Sequence, residues 1–322
     1  MGRWHAHYAR QHGAHVVAVV DNSQLAASAL ARRARNAAVF DDMGAMLEDT
    51  RPQVVHVCTP LASHLALALQ AVAAGAHVLV EKPLTATALQ ATTLLDAARD
   101  KGVHVCPVHQ FAFQRGVARL ADVLRELGEP LSVAFEICSA GGERQTGASL
   151  DAILAEIVPH PLSVLQAVWP HNPMRPEDWS AQSSLAGELN AQGKSGEIPV
   201  SVRISMNARP TRCEMELLCR DGSIHLNFFH GYAVIRRGKP SRLDKITQPF
   251  RFAGATVGVA AANLAGRALR RELAYPGLGT LIGRFYAASR SSGDNPIPAG
   301  QALAAAIVRD HVIRQAIPGA LA

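Results

Sequence analysis

The first hundred residues alternate short, continuously apolar runs with longer stretches whose apolar positions repeat at helical spacing. "HVVAVVD" (15–21), "AAVFDD" (37–42), "VVHVCTP" (54–60), "HVLVEKP" (77–83) and "VHVCPVHQF" (103–111) are short apolar runs, most of them β-branched, and predict strands. Between them, "QLAASALARRARN" (24–36), "MGAMLEDTRP" (43–52), "SHLALALQAVAAG" (63–75) and "ATALQATTLLDAARDKG" (86–102) predict helices, the third capped by Ser63 and the last stopped by Gly102. Strands without polar alternation, joined through helices by short connections, predict a parallel sheet covered on both faces.

From about residue 110 the rhythm changes. A helix at 115–127 precedes strands at "PLSVAFEICSA", "VSVRISMNA", "CEMELLCRDGSIHLNFF" and "YAVIRRGK", and the Asp-Gly of "CRDGSI" predicts a hairpin turn. This second sheet is therefore expected to be open and mostly antiparallel. An apolar helix, "HPLSVLQAVW" (160–169), lies among these strands, and helical stretches near 256–288 and 299–316 close the chain. The expected fold class is α/β: a doubly wound parallel sheet of dinucleotide-binding type in residues 1–109, then an α+β domain in residues 110–322.

Length and composition agree with this division. A chain of 322 residues is long for one core and natural for two. The net charge of +6 comes from scattered basic residues, grouped only in "RALRREL" (267–273) and with few aromatics among them. That pattern argues against nucleic acid and suits a basic pocket for an acidic small molecule. No apolar run approaches the roughly 20 residues of a membrane span, and the opening "MGRWHAHYAR" lacks the apolar core of a secretory signal. Five cysteines, an odd number without a CxxC pair, predict structural thiols in a reduced, cytoplasmic protein rather than a disulfide or metal framework.

One position is out of keeping with its surroundings. Lys82 ends the apolar run of "AGAHVLVEKPL" between Glu81 and Pro83, where an ammonium is costly unless it is used or its head reaches water. Set in its wider segment, "VVHVCTPLASHLALALQAVAAGAHVLVEKPLT" (54–85), it resembles the core of the glucose–fructose oxidoreductase, inositol dehydrogenase and rhizopine-catabolism family (Gfo/Idh/MocA). The shared features are a strand ending in Thr-Pro, a histidine on the next helix, and Ala-Gly-x-His leading to Glu-Lys-Pro. The tail "GTLIGRFYAASRSSGDNPIPAGQALAAAIVRD" is similar to the family's closing helices.

The resemblance implies a Rossmann domain with a bound nicotinamide, and a second domain that carries substrate and often a subunit interface. It implies an NAD(P)-dependent oxidoreductase that moves a hydride between nicotinamide and a carbinol or carbonyl carbon of a sugar, nucleotide sugar or cyclic polyol. Lys82 would manage the proton on the reacting oxygen, with His160 as a second relay or substrate contact. Gly2, Arg3, Trp4, Asp21, Thr59, Pro60, His64, Glu81 and Lys82 would line the cofactor. Asp21, closing a strand about 20 residues beyond Gly2, would accept the adenosine ribose hydroxyls and favour NAD over NADP. His109, Gln110 and Glu156 are candidate substrate contacts, joined by Arg267, Arg271 and Tyr275 from the basic segment. A small sugar-like substrate and a homo-oligomer built on the open sheet are the expected partners, with no nucleic acid and no membrane.

Two departures matter. The family's Asp-x-Gly-x-His helix is matched by "EIVPHPLSV", so Glu156 and His160 share one face only if the turn before Pro159 is helical. The family's first strand and first glycine of Gly-x-Gly-x-x-Gly have no counterpart before Gly2, and His5 occupies the third glycine position. That strand would sit between the Asp21 and Cys58 strands. A start placed downstream of the true one is the expected explanation; the alternative is a degenerate, non-catalytic binding or regulatory relative of the same fold.

Overall fold

The computed structural model describes residues 1–238, 242–291 and 293–319. Lys239, at the end of the expected strand "YAVIRRGK", lies outside the described residues. The chain forms two compact units: Met1–His109 with Leu278–Ala306, and Gln110–Gly277 with the chain from Ile307 on.

In the first unit, helices and strands alternate as α1 (Gly2–Gln11), β1 (Ala18–Val20), α2 (Gln24–Arg33), β2 (Ala38–Phe40), α3 (Met43–Thr50), β3 (Val54–Val57), α4 (His64–Ala73), β4 (His77–Val80), α5 (Ala88–Lys101) and β5 (Val105–Pro107). All strand pairings here are parallel, but they fall into two pieces, β1 with β2 and β3-β4-β5. Between the Asp21 and Cys58 strands, where the missing strand would sit, no ladder joins β1 to β3 among the described residues. The exposure follows from this. Val78, Leu79 and Val80 of the central β4 are wholly buried, whereas Val54, Val55 and His56 of β3 are half-buried.

Local chemistry sets the helix ends. The Thr87 hydroxyl accepts from the Gln90 amide to start α5, and Gly102 stops it at φ +68°. Ser63 holds the position before α4 but does not cap it. Its hydroxyl donates back to the Pro60 carbonyl and to Thr59 Oγ1, because a 3₁₀ turn at Leu61–Ser63 precedes the helix.

The second unit contains α6 (Arg115–Ala118), α7 (Leu120–Leu127), β6 (Pro130–Cys138), α8 (Ala148–Ile157), α9 (Pro159–Val168), β7 (Ser180–Gln182), β8 (Glu188–Ser195), β9 (Ile198–Ser205), β10 (Arg212–Cys219), β11 (Gly222–Asn227), β12 (Tyr232–Arg237) and α10 (Arg242–Leu269). Its strands form one sheet in the order β12-β11-β10-β6-β9-β8-β7, antiparallel except for the parallel pair β6–β9. Alternation gives a buried face of Val133, Phe135, Ile137, Met215 and Leu217. The opposite face is polar and carries the ion pairs Arg212–Glu136 and Arg236–Glu216. The expected Asp-Gly turn is shifted by one residue. Cys219 pairs with Gly222, so Arg220–Asp221 form the loop and Gly222 begins β11. There a Cβ would meet the Arg236 carbonyl oxygen at 2.2 Å, so only glycine fits.

The helix α8 and the strands β7 and β8 were not read from the sequence. Val158 is itself helical (φ −51°, ψ −36°), so α8 and α9 run on without a break and the condition for Glu156 and His160 to share a face is met. The run Ala148–Val168 is 21 residues long and apolar enough to cross a membrane by length and composition, which the sequence reading had excluded. Most of it is buried within the protein, including Leu154, Leu162, Val164 and Leu165, as befits a core helix.

The chain then supplies α11 (Leu278–Ser291) to the first unit and ends in α12 (Ala299–Ala316). Helix α11 packs on α1 through two glycines. A Cβ at Gly279 would lie 2.9 Å from the Tyr8 ring and one at Gly283 2.5 Å from the His12 ring. This notch brings Tyr286 over the parallel strands.

Candidate active site

The site grows from the carboxyl end of β4. Its ladder continues one residue further, with the Glu81 amide donating to the Val57 carbonyl at 2.9 Å and the Val108 amide to Val80 at 2.8 Å. These bonds fix Glu81 before the chain turns through the cis Lys82–Pro83 peptide. Lys82 is half-buried there, and its own amide donates to Glu81 Oε2 at 3.3 Å.

Glu81 is only 6% exposed, and His5 of α1, 2% exposed, meets it with Nε2 2.9 Å from Oε1. The other His5 nitrogen lies 2.8 Å from His56 Nδ1 on β3, and His56 Nε2 lies 2.8 Å from the Tyr286 hydroxyl on α11. Four elements are thus joined by one chain of side chains, Glu81–His5–His56–Tyr286, buried except at half-buried His56.

The electrostatics of that chain are strongly biased. Burial alone would lower the pKa of His5, but Cys58 and Glu81 outweigh it and push it up to about 10. Burial acts to raise Glu81, yet the hydrogen bond and charge of His5, with Lys82 beside it, leave it below its ordinary value. His56 is held well below its ordinary value, by burial first and then by the charge on His5. The consistent assignment is a Glu81 carboxylate bound to a His5 imidazolium, which donates its second N–H to neutral His56, which donates to the Tyr286 oxygen. Sequence reading missed His56 and Tyr286 and noted His5 only as a non-glycine. A histidine inside the apolar run "VVHV" was the one legible signal.

His109, two residues past β5, joins the same group. It is 3% exposed, and its pKa is pushed down to about 4, by burial first and by the Lys82 ammonium, against the pull of Glu81. Its buried Nδ1 has no hydrogen-bond partner among the described residues. A neutral ring with an unmet polar atom beside a lysine is a seat for a hydroxyl that can donate or accept. Buried His64, expected at the cofactor, lies between the carbonyl oxygens of Thr59 and Pro83, 2.9 Å from each. It straps the end of β3 to the Lys82 turn.

The other expected cofactor contacts cluster at the open amino end of α1 and the end of β1. No side chain caps α1 and its first turn carries no acid, so the amides of Gly2 and Arg3 face outward beside the Arg3 guanidinium, which lies 5.1 Å over the Trp4 ring. Asp21 is exposed just past β1, where one of its oxygens accepts from the Ser23 amide at 2.8 Å. The residues present would suit a dinucleotide: the uncapped start of α1 offers amide donors of the kind a phosphate takes, and the exposed Asp21 carboxylate is an acceptor of the kind ribose hydroxyls meet.

The remaining candidates belong to the second unit. His160 is 8% exposed and stacks on Phe111 at 4.2 Å, and Phe111 stacks in turn on Phe228 at 5.1 Å. Gln110 precedes Phe111, and its buried Oε1 has no partner among the described residues. The loop holding Tyr275 comes against Gln110, since a Cβ at Gly277 would meet the Gln110 carbonyl at 2.2 Å. Arg267 and Arg270 both lie near Glu272, at 3.9 and 3.6 Å, so much of the positive charge expected of that segment is compensated locally. Arg271 and Tyr275 have left-handed backbones, φ 55° and 50°. Glu156 acts on Arg309, whose pKa is lowered by burial against the pull of Asp310 and Glu156.

Residues 1–109 match the Gfo/Idh/MocA model, described as an oxidoreductase family with an NAD-binding Rossmann fold. D-glucoside 3-dehydrogenase of Escherichia coli (strain K12) is 41% identical over 97 residues, 30% of this chain and 28% of that protein. Across the curated relatives the matched part spans about a fifth to two fifths of their length. The structure of UDP-N-acetylglucosamine 3-dehydrogenase GnnA from Acidithiobacillus ferrooxidans superposes with a TM-score of 0.75 at 18% identity, covering 98% of this chain and 94% of that one. That of levoglucosan dehydrogenase, solved with NADH and levoglucosan, has a TM-score of 0.71 at 17% identity, with 98% and 94% covered. At such identities the two superpositions show a shared fold.

Proposed function

We propose, because this chain belongs through residues 1–109 to the Gfo/Idh/MocA oxidoreductases, that it oxidises or reduces a carbinol or carbonyl carbon of a sugar, nucleotide sugar or cyclic polyol, with Lys82 handling the proton. The observation that carries the reading is the half-buried Lys82, whose charge acts on both the Glu81 carboxylate and the neutral, unmet His109. Nicotinamide, when bound, supplies the two-electron chemistry. NAD is the proposed form, because an Asp21 carboxylate at the ribose repels a 2′-phosphate.

In this scheme the chain's own residues manage charge and protons. Lys82 Nζ takes or gives the proton of the reacting oxygen. Glu81, kept ionised by His5, holds the lysine's position and balances its charge. His109 Nδ1 receives a neighbouring hydroxyl of the substrate, and its neutrality avoids a second cation beside Lys82. His160 is assigned a substrate contact or second proton relay on the resemblance of "EIVPHPLSV" alone.

Fluorescence titration with NADH, followed by a screen of nucleotide sugars and inositols by nicotinamide absorbance, tests the reading. Lys82→Ala should lower kcat by about 10²–10⁴-fold and leave the NADH Kd within a factor of about three. Unchanged turnover would remove Lys82 from the mechanism. The break between β1 and β3 favours one competing reading, a binding or regulatory protein on the same fold. Failure of NADH to bind would support that alternative.

A further inference from the structure

Helices α6 and α10 both rest on the edge strand β12. Gly116 lets α6 lie against that strand, since a Cβ there would come within 3.2 Å of the Tyr232 carbonyl carbon. Asn263 of α10 donates to the His230 carbonyl at 2.9 Å, just before β12 begins. A cavity of about 540 Å³ is lined by these two helices, the start of α7, β11 and β12, a size within the roughly 300–1,000 Å³ of small-molecule sites. Its floor is the edge of the sheet's buried face. Ile224 pairs across the ladder with Ile235 and Leu226 with Ala233, so these side chains share one side. Ile224 and Leu226 are fully covered, whereas Ala233 and Ile235 are half-buried, so the apolar face is left unfinished at its last strand.

The lining is of two kinds. Leu120 and Val123 of α7, Ile224, Ile235, and Val259 of α10 are aliphatic, and the only charged residues are Arg115 and Arg119. The Arg119 amide donates to the Arg115 carbonyl at 3.2 Å, so the two arginines stand one turn apart on one face. Both are exposed, at the rim, and neither has an acidic partner among the described residues. Neighbouring arginines differ. Arg125 pairs with Asp122 and Arg237 with Glu126, so the acids that follow Arg119 on α7 are engaged elsewhere. Two like charges one turn apart repel, and an anion held between them relieves that repulsion while accepting from both guanidiniums.

We propose that this cavity binds a free amphiphilic carboxylate of fatty-acid type. Its aliphatic body lies on Leu120, Val123, Ile224 and Ile235, and its head sits between the Arg115 and Arg119 guanidiniums. Both halves of the occupant are needed. A neutral apolar molecule would leave the two arginines unanswered, and a bare anion would leave the aliphatic floor in water. A floor of aliphatic side chains also leaves sugar hydroxyls without partners, which separates this site from the one proposed for the redox chemistry. The cavity lies wholly in the second unit and is independent of that chemistry, so either reading can fail alone.

Isothermal titration calorimetry of the full chain with sodium decanoate, below its micelle concentration, tests the proposal, with circular dichroism as the control for folding. One decanoate should bind per chain with a micromolar Kd. Decanol, which has the tail without the charge, and acetate, which has the charge without the tail, should each bind at least about tenfold more weakly. Arg115→Gln and Arg119→Gln should each weaken decanoate about tenfold with unchanged spectra, because both side chains are exposed. Ala262→Trp, at an exposed lining position of α10, should fill the cavity and abolish binding, again with an unchanged spectrum. No heat with decanoate, a decanoate Kd unmoved by either arginine variant or by Ala262→Trp, or equal binding of decanol or acetate would overturn the assignment. So would a chain that pellets with phosphatidylglycerol vesicles but ignores free decanoate, which would make the cavity a membrane contact.

Discussion

Raising the pH from 6.5 to 10 should remove a large part of the first unit's stability, and His5 is the reason. Its pKa in the folded protein, about 10, lies above the ordinary 6.5. Below 6.5 both folded and unfolded chains carry the proton and the stabilisation is complete. Between the two values only the folded chain holds it, so stability falls as pH rises, by up to about 1.4 kcal/mol per unit. Over the window this amounts to roughly 5 kcal/mol, against a total of about 5–15 kcal/mol for a typical domain. The assay is urea unfolding at pH 6.5, 8 and 9.5, read by hydrogen–deuterium exchange in α1 and β3 peptides, for the wild type and His5→Gln. Glutamine can still donate to Glu81 but does not titrate. The stability difference between the two proteins should be largest near pH 6.5 and shrink steadily towards pH 10. Cys58→Ala should flatten the wild-type slope most, by removing the largest influence that raises the pKa, and Glu81→Gln should flatten it less. A difference independent of pH would refute the imidazolium–carboxylate assignment.

Three further outcomes are expected. His109, with its pKa depressed to about 4, is buried neutral, so the unfolded chain binds the extra proton between pH 6.5 and 4. Acid therefore destabilises the unit across that window by up to roughly 3 kcal/mol, and His109→Asn should remove this part of the acid slope in urea titrations. Asp21→Ser should weaken NADH binding about tenfold while improving NADPH, measured as the ratio of the two Kd values; an unchanged ratio would take Asp21 away from the ribose. Gly193→Ala should destabilise the second unit by about 1–3 kcal/mol in thermal unfolding, because the new methyl would lie 2.2 Å from the buried Trp179 ring.

The strands and helices of the first unit were legible because each is a local pattern. β-Branched runs, the Gly102 helix stop and the buried continuity of "HVLV" are written within a few residues, whereas the Thr87 cap was not read. Lys82 and Glu81 were legible for the same reason, as charges ending an apolar strand. What escaped the sequence were relations between distant positions. Tyr286 meets His56 across 230 residues, and the return of residues 278–306 to the first unit has no local signature. The α8 helix was missed because Pro159 and Pro161 read as a helix start, whereas Val158 is itself helical and α8 runs on into α9. The exposed apolar face of α10, with Ile246, Phe250, Val257 and Leu264, was hidden because its apolar residues are as compatible with a core-facing helix as with an exposed one. Only the observed exposure separates the two.

The break between β1 and β3 gives the buried histidine chain a structural meaning as well as a chemical one. In a continuous sheet, ladder hydrogen bonds would hold neighbouring strands and the helix above them in register. Among the described residues no strand pairs with β3 on the side away from β4, and side chains provide a connection: His5 ties α1 to the end of β4, and His56 ties β3 to α11. Bonds of this kind are stronger in a low-dielectric interior than in water, and they are costly to leave half-made. Loss of one member exposes the others as unmet buried groups, at about 1–3 kcal/mol each. The carboxylate that ends this chain is also the one beside Lys82. The same proton on His5 therefore holds the elements together and keeps Glu81 ionised, so stability and lysine position should fail together as that proton leaves.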